Sequence, residues 1–346
     1  MRRIICLLLL GSALCALPAA AQDSGTLTLV THDSFDISEA VLAQFEAQTG
    51  VRVQILPIGD AGAMVNQAIL TRRNPLGDVL FGIDNTFLSR GLEYDLFEPY
   101  ESPLLDDIPE MFRLDPENRV TPVDYGDVCL NYDIAYFEAA GLAVPASLAE
   151  LTDAAYRGLL VTPNPATSSP GLAFLLATVA AFGVEGDYTY LDFWADLVAN
   201  GALIVDGWTE AYFGYFTQGA EDGTYPLVVS YASSPPFTVD EETGAPATAS
   251  VVADGMCFRQ IEFAGILKGT ANRQAAEQLI DFLLSVPFQE DMPLQMYVFP
   301  VNPAAALPAI FEEHAAVAEN PATLTPDEIE AGREEWIQAW TETVLR

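Results

Sequence analysis

The residues able to do chemistry in this chain are few. Cys129 and Cys257 remain once Cys6 and Cys15 are assigned to an N-terminal apolar run. In an oxidising compartment such a pair forms a disulfide; otherwise it stays as buried thiols, or Cys129 serves as a nucleophile. Thr167, Ser168 and Ser169 stand just before Pro170 and an apolar helical stretch. Hydroxyls and free N–H groups at such a helix start either cap the helix or hold a phosphate without any lysine. Asp60 and Asp84 each end an apolar run, where a carboxylate caps the next helix or accepts from an amino group. Trp208 follows Gly207 at a strand-to-helix junction, and such junctions face ligand clefts in open α/β sheets. Trp208, Tyr231 and Tyr297 offer aromatic faces to a flat ring or a cation, or else pack in the core. His32 and His314 are the only histidines and lack metal-ligand spacing, so no metal site and no cofactor are expected. No Tyr-Tyr pair, P-loop, dinucleotide fingerprint or Ser-His-Asp order is present.

The 346 residues carry 49 Asp and Glu against 14 Lys and Arg, a formal charge of −35, with Lys268 the one lysine. No broad basic face can be built from this, which excludes sequence-independent nucleic-acid binding and favours cationic ligands. At 51% hydrophobic residues the chain is not an acidic disordered polymer. Arg2 and Arg3, an apolar run over 4–17 and a small-residue stretch to Ala21 read as a secretory signal, 1–21, cleaved after Ala21. No later segment is apolar enough to span a membrane.

The elements that must position the chemistry follow from periodicity. Residues 26–31 alternate as a strand, 37–45 have helical spacing with Gly50 as a stop, and 51–55 alternate again. This strand–helix–strand start is the signature of a parallel α/β unit. Helices are expected over 61–72, 149–156, 170–182, 188–199, 208–216 and 273–284, with strands over 78–83, 202–205 and 226–231. Thr325-Pro326-Asp327-Glu328 forms a capping box opening a last helix, on which Trp336 and Trp340 share a docking face. Two long extended stretches, 120–136 and 251–267, divide the chain. They imply two lobes joined by two crossings: 22–121 with 251–346, and 122–250.

Six blocks occur in order: Thr31-His32-Asp33-Ser34-Phe35, the stretch 78–85, Val123-Asp124-Tyr125-Gly126, the stretch 167–172, the stretch 207–212, and Ser230-Tyr231-Ala232-Ser233-Ser234-Pro235. Together they resemble the periplasmic thiamine-binding proteins of bacterial ABC importers, from about Thr26 to Trp340. The resemblance implies an α/β, two-lobed type II periplasmic-binding-protein (Venus flytrap) fold with its ligand in the interlobe cleft. It implies binding of thiamine and its mono- and diphosphate, delivery to an inner-membrane ABC permease, a periplasmic location and a monomer. Matched block by block, the ligand set would be Asp60, Ala61, Ser168, Ser169, Trp208, Tyr231, Ala232, Ser233, Ser234, Pro235 and Tyr297. His32, Asp84, Tyr125, Thr167 and Tyr212 would lie nearby. Ala61 stands where the family has glycine, and His32 where it has tyrosine.

Thiamine is a flat aminopyrimidine tethered to a cationic thiazolium. It suits aromatic faces, a carboxylate for the amino group, and, when phosphorylated, the hydroxyl-rich helix start. Two rivals remain at this level. Thiamine-degrading transferases resemble the same fold and would need Cys129 free as nucleophile. A polyamine binder would suit the acidity but leaves Ser168 and Ser169 without a role.

Overall fold

The computed structural model describes residues 25–345; the expected signal segment lies outside them. The strands are β1 (Thr26–Thr31), β2 (Arg52–Pro57), β3 (Val79–Asp84), β4 (Phe97–Glu98), β5 (Thr121–Asp133), β6 (Leu160–Pro163), β7 (Leu203–Val205), β8 (Leu227–Tyr231), β9 (Thr248–Val251), β10 (Phe258–Leu267) and β11 (Phe299–Pro300). The helices are α1 (Glu39–Thr49), α2 (Ala61–Thr71), α3 (Leu88–Glu93), α4 (Ile134–Ala140), α5 (Ser169–Phe182), α6 (Tyr190–Ala199), α7 (Trp208–Glu210), α8 (Arg273–Leu284), α9 (Val286–Gln295), α10 (Ala309–His314) and α11 (Pro326–Val344).

One path runs through the sheet in the order β2-β1-β3-β10-β5-β8-β6-β7. The outer groups, β2-β1-β3 and β8-β6-β7, are parallel within themselves. Between them β10 and β5 run antiparallel to each other and to their neighbours. These are the two long extended stretches read from the sequence. The N-terminal part of β5 pairs with β10 and β11, and its C-terminal part with β8 and β9. The sheet is thus two α/β halves sharing one strand pair.

Cys129 and Cys257 are joined in a disulfide across this shared region, 128 residues apart. Beside it, Arg259 forms two bonds to the buried Asp127 carboxylate, at 2.9 and 2.8 Å, on the adjacent strand. The same carboxylate accepts from the Ala318 N–H at 2.7 Å, so the returning chain is tied down there too.

Helix α5 is buried along most of its length and apolar all round, as a helix under a sheet must be. Helix α6 packs on it, and the Trp194 indole N–H donates to Thr178 Oγ1 at 3.0 Å. The capping box of α11 is present, with Thr325 and Glu328 bonding reciprocally. This last helix packs on α6, Trp340 meeting Trp194 edge-on at 5.4 Å, and reaches α3 through Arg333 and Ser89. It therefore lies mainly against elements of the 122–250 span, because the exposed flank of α6 is what its buried tryptophan covers. Residues 149–156 form two short 3-10 turns instead of one helix, and 208–215 is a single helical turn running into a π-turn. Helix α9, with Pro287 in its first turn, escapes periodicity because its apolar residues form no single stripe.

The disulfide closes a long loop, so replacing both Cys129 and Cys257 by Ser should lower unfolding free energy by about 5 kcal/mol. Urea denaturation of the two forms checks this. A thiol assay of the protein lacking the expected signal segment, and with it Cys6 and Cys15, should find no free thiol in native or denaturing buffer.

Candidate ligand-binding site

Residues that follow β1, β2 and β3 meet residues that follow β6 and β7, and Asp60 is where they join. It is the N-cap of α2, and its Oδ1 accepts from the Ala61 N–H at 2.6 Å and from the Ser169 N–H at 3.3 Å. Its Oδ2 accepts from the Trp208 N–H at 2.8 Å, and the Ser168 hydroxyl also donates to it. One carboxylate therefore serves the N-terminal N–H groups of α2, α5 and α7. Each helix start carries about half a positive charge, so this is an anion seat already filled from within the chain. Loss of water raises the Asp60 pKa, and the bonds from Trp208, Ser168 and Ala61 oppose that rise. The halves also meet where the Ala63 N–H donates to the Thr167 carbonyl at 3.1 Å and Thr209 Oγ1 to Asp33 at 3.2 Å. Gly62 permits this approach, since a Cβ there would lie 2.8 Å from the Thr167 carbonyl.

An inner cavity of about 30 Å³ lies against Asp60, with room for a water or two. His32, Ser169, Trp208, Tyr231 and Glu262 are among its walls. His32 Nδ1 bonds Ser34 Oγ at 2.9 Å, and Nε2 stands 3.6 Å from Glu262. Burial works to lower the His32 pKa, but Glu262, Asp60 and Asp33 outweigh it and hold the ring above its ordinary value. Gly82, at φ +98°, makes way for this ring, which a Cβ there would strike.

Behind Glu262 stand two more acids. Glu262 on β10 is in register with Asp84 on β3 and with Asp124 on β5. Directly paired residues share a face of the sheet, so three carboxyl groups form a row across three strands. Register shifts flank the row on both sides of Phe263, and such bulges re-aim side chains beside sites. All three residues are buried. Asp84 accepts from the Thr86 N–H at 2.6 Å and from the Ser169 hydroxyl. Burial pushes its pKa up to about 7. Asp124 is raised well above the carboxylate range, first by burial and then by Glu262.

An outer cavity of about 310 Å³ adjoins the inner one, sharing Trp208, Ser34 and Met296. Its walls are aromatic: Phe35, Trp208, Tyr212, Phe213, Phe237 and Tyr297. Trp208 stacks on Tyr212 at 5.2 Å, and Phe237 meets Tyr297 edge-on at 5.4 Å. Asp33 and Asp36 supply charge, and among the described residues no arginine or lysine lines either cavity.

The sequence-derived residues divide accordingly. His32, Asp60, Ala61, Ser169, Trp208 and Tyr231 line the inner cavity, and Trp208, Tyr212, Ser234 and Tyr297 the outer one. The others line neither. Ser168 is the buried N-cap of α5, accepting from the Gly171 N–H, and Thr167 donates its hydroxyl to the Asp206 carbonyl. Ala232, Ser233 and Pro235 are buried behind the wall, and Asp84 lies beneath Ser169. Tyr125 is stacked between Phe112 and Phe299 under the Arg259 guanidinium. Sequence reasoning missed Glu262, Asp124, Phe213, Phe237 and Met296. Acids inside otherwise apolar extended stretches were the available signal for the first two. The disulfide leaves Cys129 without a thiolate, which removes the nucleophile the transferase reading required.

Two α/β halves, joined by a shared strand pair and enclosing a ligand-sized aromatic cleft, define a two-lobed type II solute-binding protein. The chain belongs to the bacterial extracellular solute-binding protein family, whose model matches residues 74–318. It is 30% identical over 340 residues to the thiamine-binding periplasmic protein of Salmonella typhimurium, covering 96% of this chain and 97% of that one. Its identity to the thiamine-binding periplasmic protein of Escherichia coli is 29%, with 96% and 97% covered. A solved periplasmic thiamin binding protein superposes with a TM-score of 0.81 at 26% identity, over 95% of this chain and 99% of that one. The protein is periplasmic and a binding protein, not an enzyme.

Two outcomes follow from the site. Asp60→Ala strands three sets of helix-start donors and should cost about 2–3 kcal/mol of stability; it should also loosen the halves, seen as a larger radius of gyration by small-angle X-ray scattering. Asp84 is raised in the fold above its unfolded value. Its contribution is therefore complete below about pH 4 and is lost as pH rises through about 7. Stability measured by urea should fall across that window, and less steeply in Asp84→Asn.

Proposed function

We propose that this protein is the receptor for thiamine in an ABC import system, holding it between the lobes and presenting it to the inner-membrane permease. The outer cavity carries the reading: aromatic walls, two carboxylates and, among the described residues, no arginine or lysine, at a volume suited to a small organic ligand. A flat aminopyrimidine finds ring faces in Trp208, Phe237 and Tyr297, and a thiazolium cation finds the acids and the aromatic quadrupoles. The names of the full-length relatives support the same ligand. Trp208, Ser234 and Tyr297 form the contact set in this reading, with Tyr212 added from the nearby residues, while Asp60, Ala61, Ser169, Tyr231 and His32 back it across the small inner cavity.

Thiamine mono- and diphosphate take second place. The seat expected for phosphate, the start of α5, already serves Asp60 and Asp84. An added phosphate would meet these carboxylates and Glu262, with His32 the one group able to offset them. We assign residues 25–121 and 251 to about 315 to one lobe and 122–250 with the last helix to the other, acting as a monomer. Strands β5 and β10 serve as the hinge between them.

Isothermal titration calorimetry with thiamine and with thiamine diphosphate tests this. One-to-one binding of thiamine is expected, with the diphosphate at least about tenfold weaker; each tenfold is 1.4 kcal/mol. Trp208→Ala should weaken thiamine about ten- to a hundredfold by removing its ring face. Heat from spermidine but not from thiamine would overturn the reading.

A further inference from the structure

In the row of carboxyl groups behind the inner cavity, Asp84 is bonded to Thr86 and Ser169, but Asp124 makes no bond that would explain its burial. Neither oxygen of Asp124 has a hydrogen-bond donor, and both are out of contact with solvent. Glu262 is its directly paired neighbour on β10, and that acid adds to burial in raising the Asp124 pKa. Glu262 itself receives only the Gln260 amide at 3.2 Å and the His32 ring at 3.6 Å. His32 is 7% exposed and lines the inner cavity, yet its Nε2 has no partner within hydrogen-bond distance. Three buried carboxylates in a row cannot all be ionised, because each charge loses hydration and repels the next. The other charged groups around them do not cure this. Asp60 and Asp33 add negative charge, and Tyr231 bonds Gln260 through its hydroxyl. Arg333 acts on Asp84 from the far side, where its guanidinium bonds the Thr86 carbonyl and Ser89.

We propose that the row Asp124–Glu262–Asp84 is a proton-exchanging selector for cations: it keeps a proton while the cleft is free and releases it when a cationic ligand seats in the outer cavity against the inner one. Glu262, the member that lines the inner cavity, becomes the counter-ion. Asp124 and Asp84 behind it act as positioning residues that set where the proton goes. An anionic group entering the same place would instead draw a proton in. The site thereby discriminates by charge sign without a fixed basic residue. This inference rests on the thiamine reading for its ligand, but the retained proton is a property of the protein alone.

The test has two arms. Titration of thiamine into the protein at pH 7 in buffers of different ionisation enthalpy should show release on the order of one proton per ligand. Affinity should rise with pH, by up to about tenfold per unit through the titration of the row. Asp124→Asn should abolish the release and flatten the profile, and Glu262→Gln should also weaken thiamine. His32→Gln should keep most of the release. Binding without any dependence on buffer, or release lost in His32→Gln but kept in Asp124→Asn, would overturn the assignment. The second arm uses no ligand: infrared spectra at pH 7 should show a protonated-carboxyl band that Asp124→Asn diminishes. Should thiamine give no heat, the thiamine reading falls and this band alone decides; its absence from the wild-type spectrum would end the proposal.

Discussion

The arrangement depends on one carboxylate. Asp60 collects the free N–H groups at the starts of α2, α5 and α7, helices that rise from both halves of the sheet. Without an internal anion those helix starts would seek one from solvent, because the first N–H groups of a helix have no partner within it. The same contact fixes the Trp208 backbone and hence which way its indole points. The indole N–H is then held by Ser230 Oγ at 2.9 Å, and its face by Tyr212. Helix ends, interlobe contact and the principal aromatic wall are one construction.

The shared strands complete it. Antiparallel β5 and β10 are cross-linked by Arg259–Asp127, with Cys129–Cys257 beside it, and the buried acids Asp124 and Glu262 stand three residues further along each strand. The covalent and bidentate links fix the register of the crossing region next to the cleft. The bulges beside Phe263 then tilt the strands just where Glu262 turns toward the inner cavity. Rigidity and irregularity lie within a few residues of each other because the site uses both.

Much of this was readable from the chain. Alternation and helical spacing mark β1, α1, α2, α5, α8 and the capping box of α11, since each has one buried face or one clear stop signal. The two crossings were legible as long extended stretches. Asp60, Trp208 and Tyr297 were found from their positions at strand ends or from block resemblance, and all three line the cleft. The partners of Ser168 and Ser169 were not legible. Their hydroxyls were free to bind an anion until the fold brought Asp60 and Asp84, more than eighty residues earlier, within bonding distance. The acid row was hidden for the same reason: Asp84, Asp124 and Glu262 become neighbours only through sheet register.

In the reading proposed above, that register gives a strongly acidic protein a means of specific recognition. Surface acidity attracts cations of every kind and is screened within about 10 Å by salt. Charge buried behind a cavity wall is screened far less, and its strength is limited by its own repulsion, which a proton relieves. A cleft whose helix ends are neutralised by Asp60 has little positive field left to offer an anion. One backed by partly protonated carboxyl groups has negative charge in reserve, available when a cation arrives to stabilise it. The aromatic outer chamber adds shape to that preference, since stacking rewards a flat ring and gives an extended aliphatic amine much less. In that reading the acids behind the inner cavity read charge sign and the outer cavity reads ring shape, with Trp208 forming a wall of both.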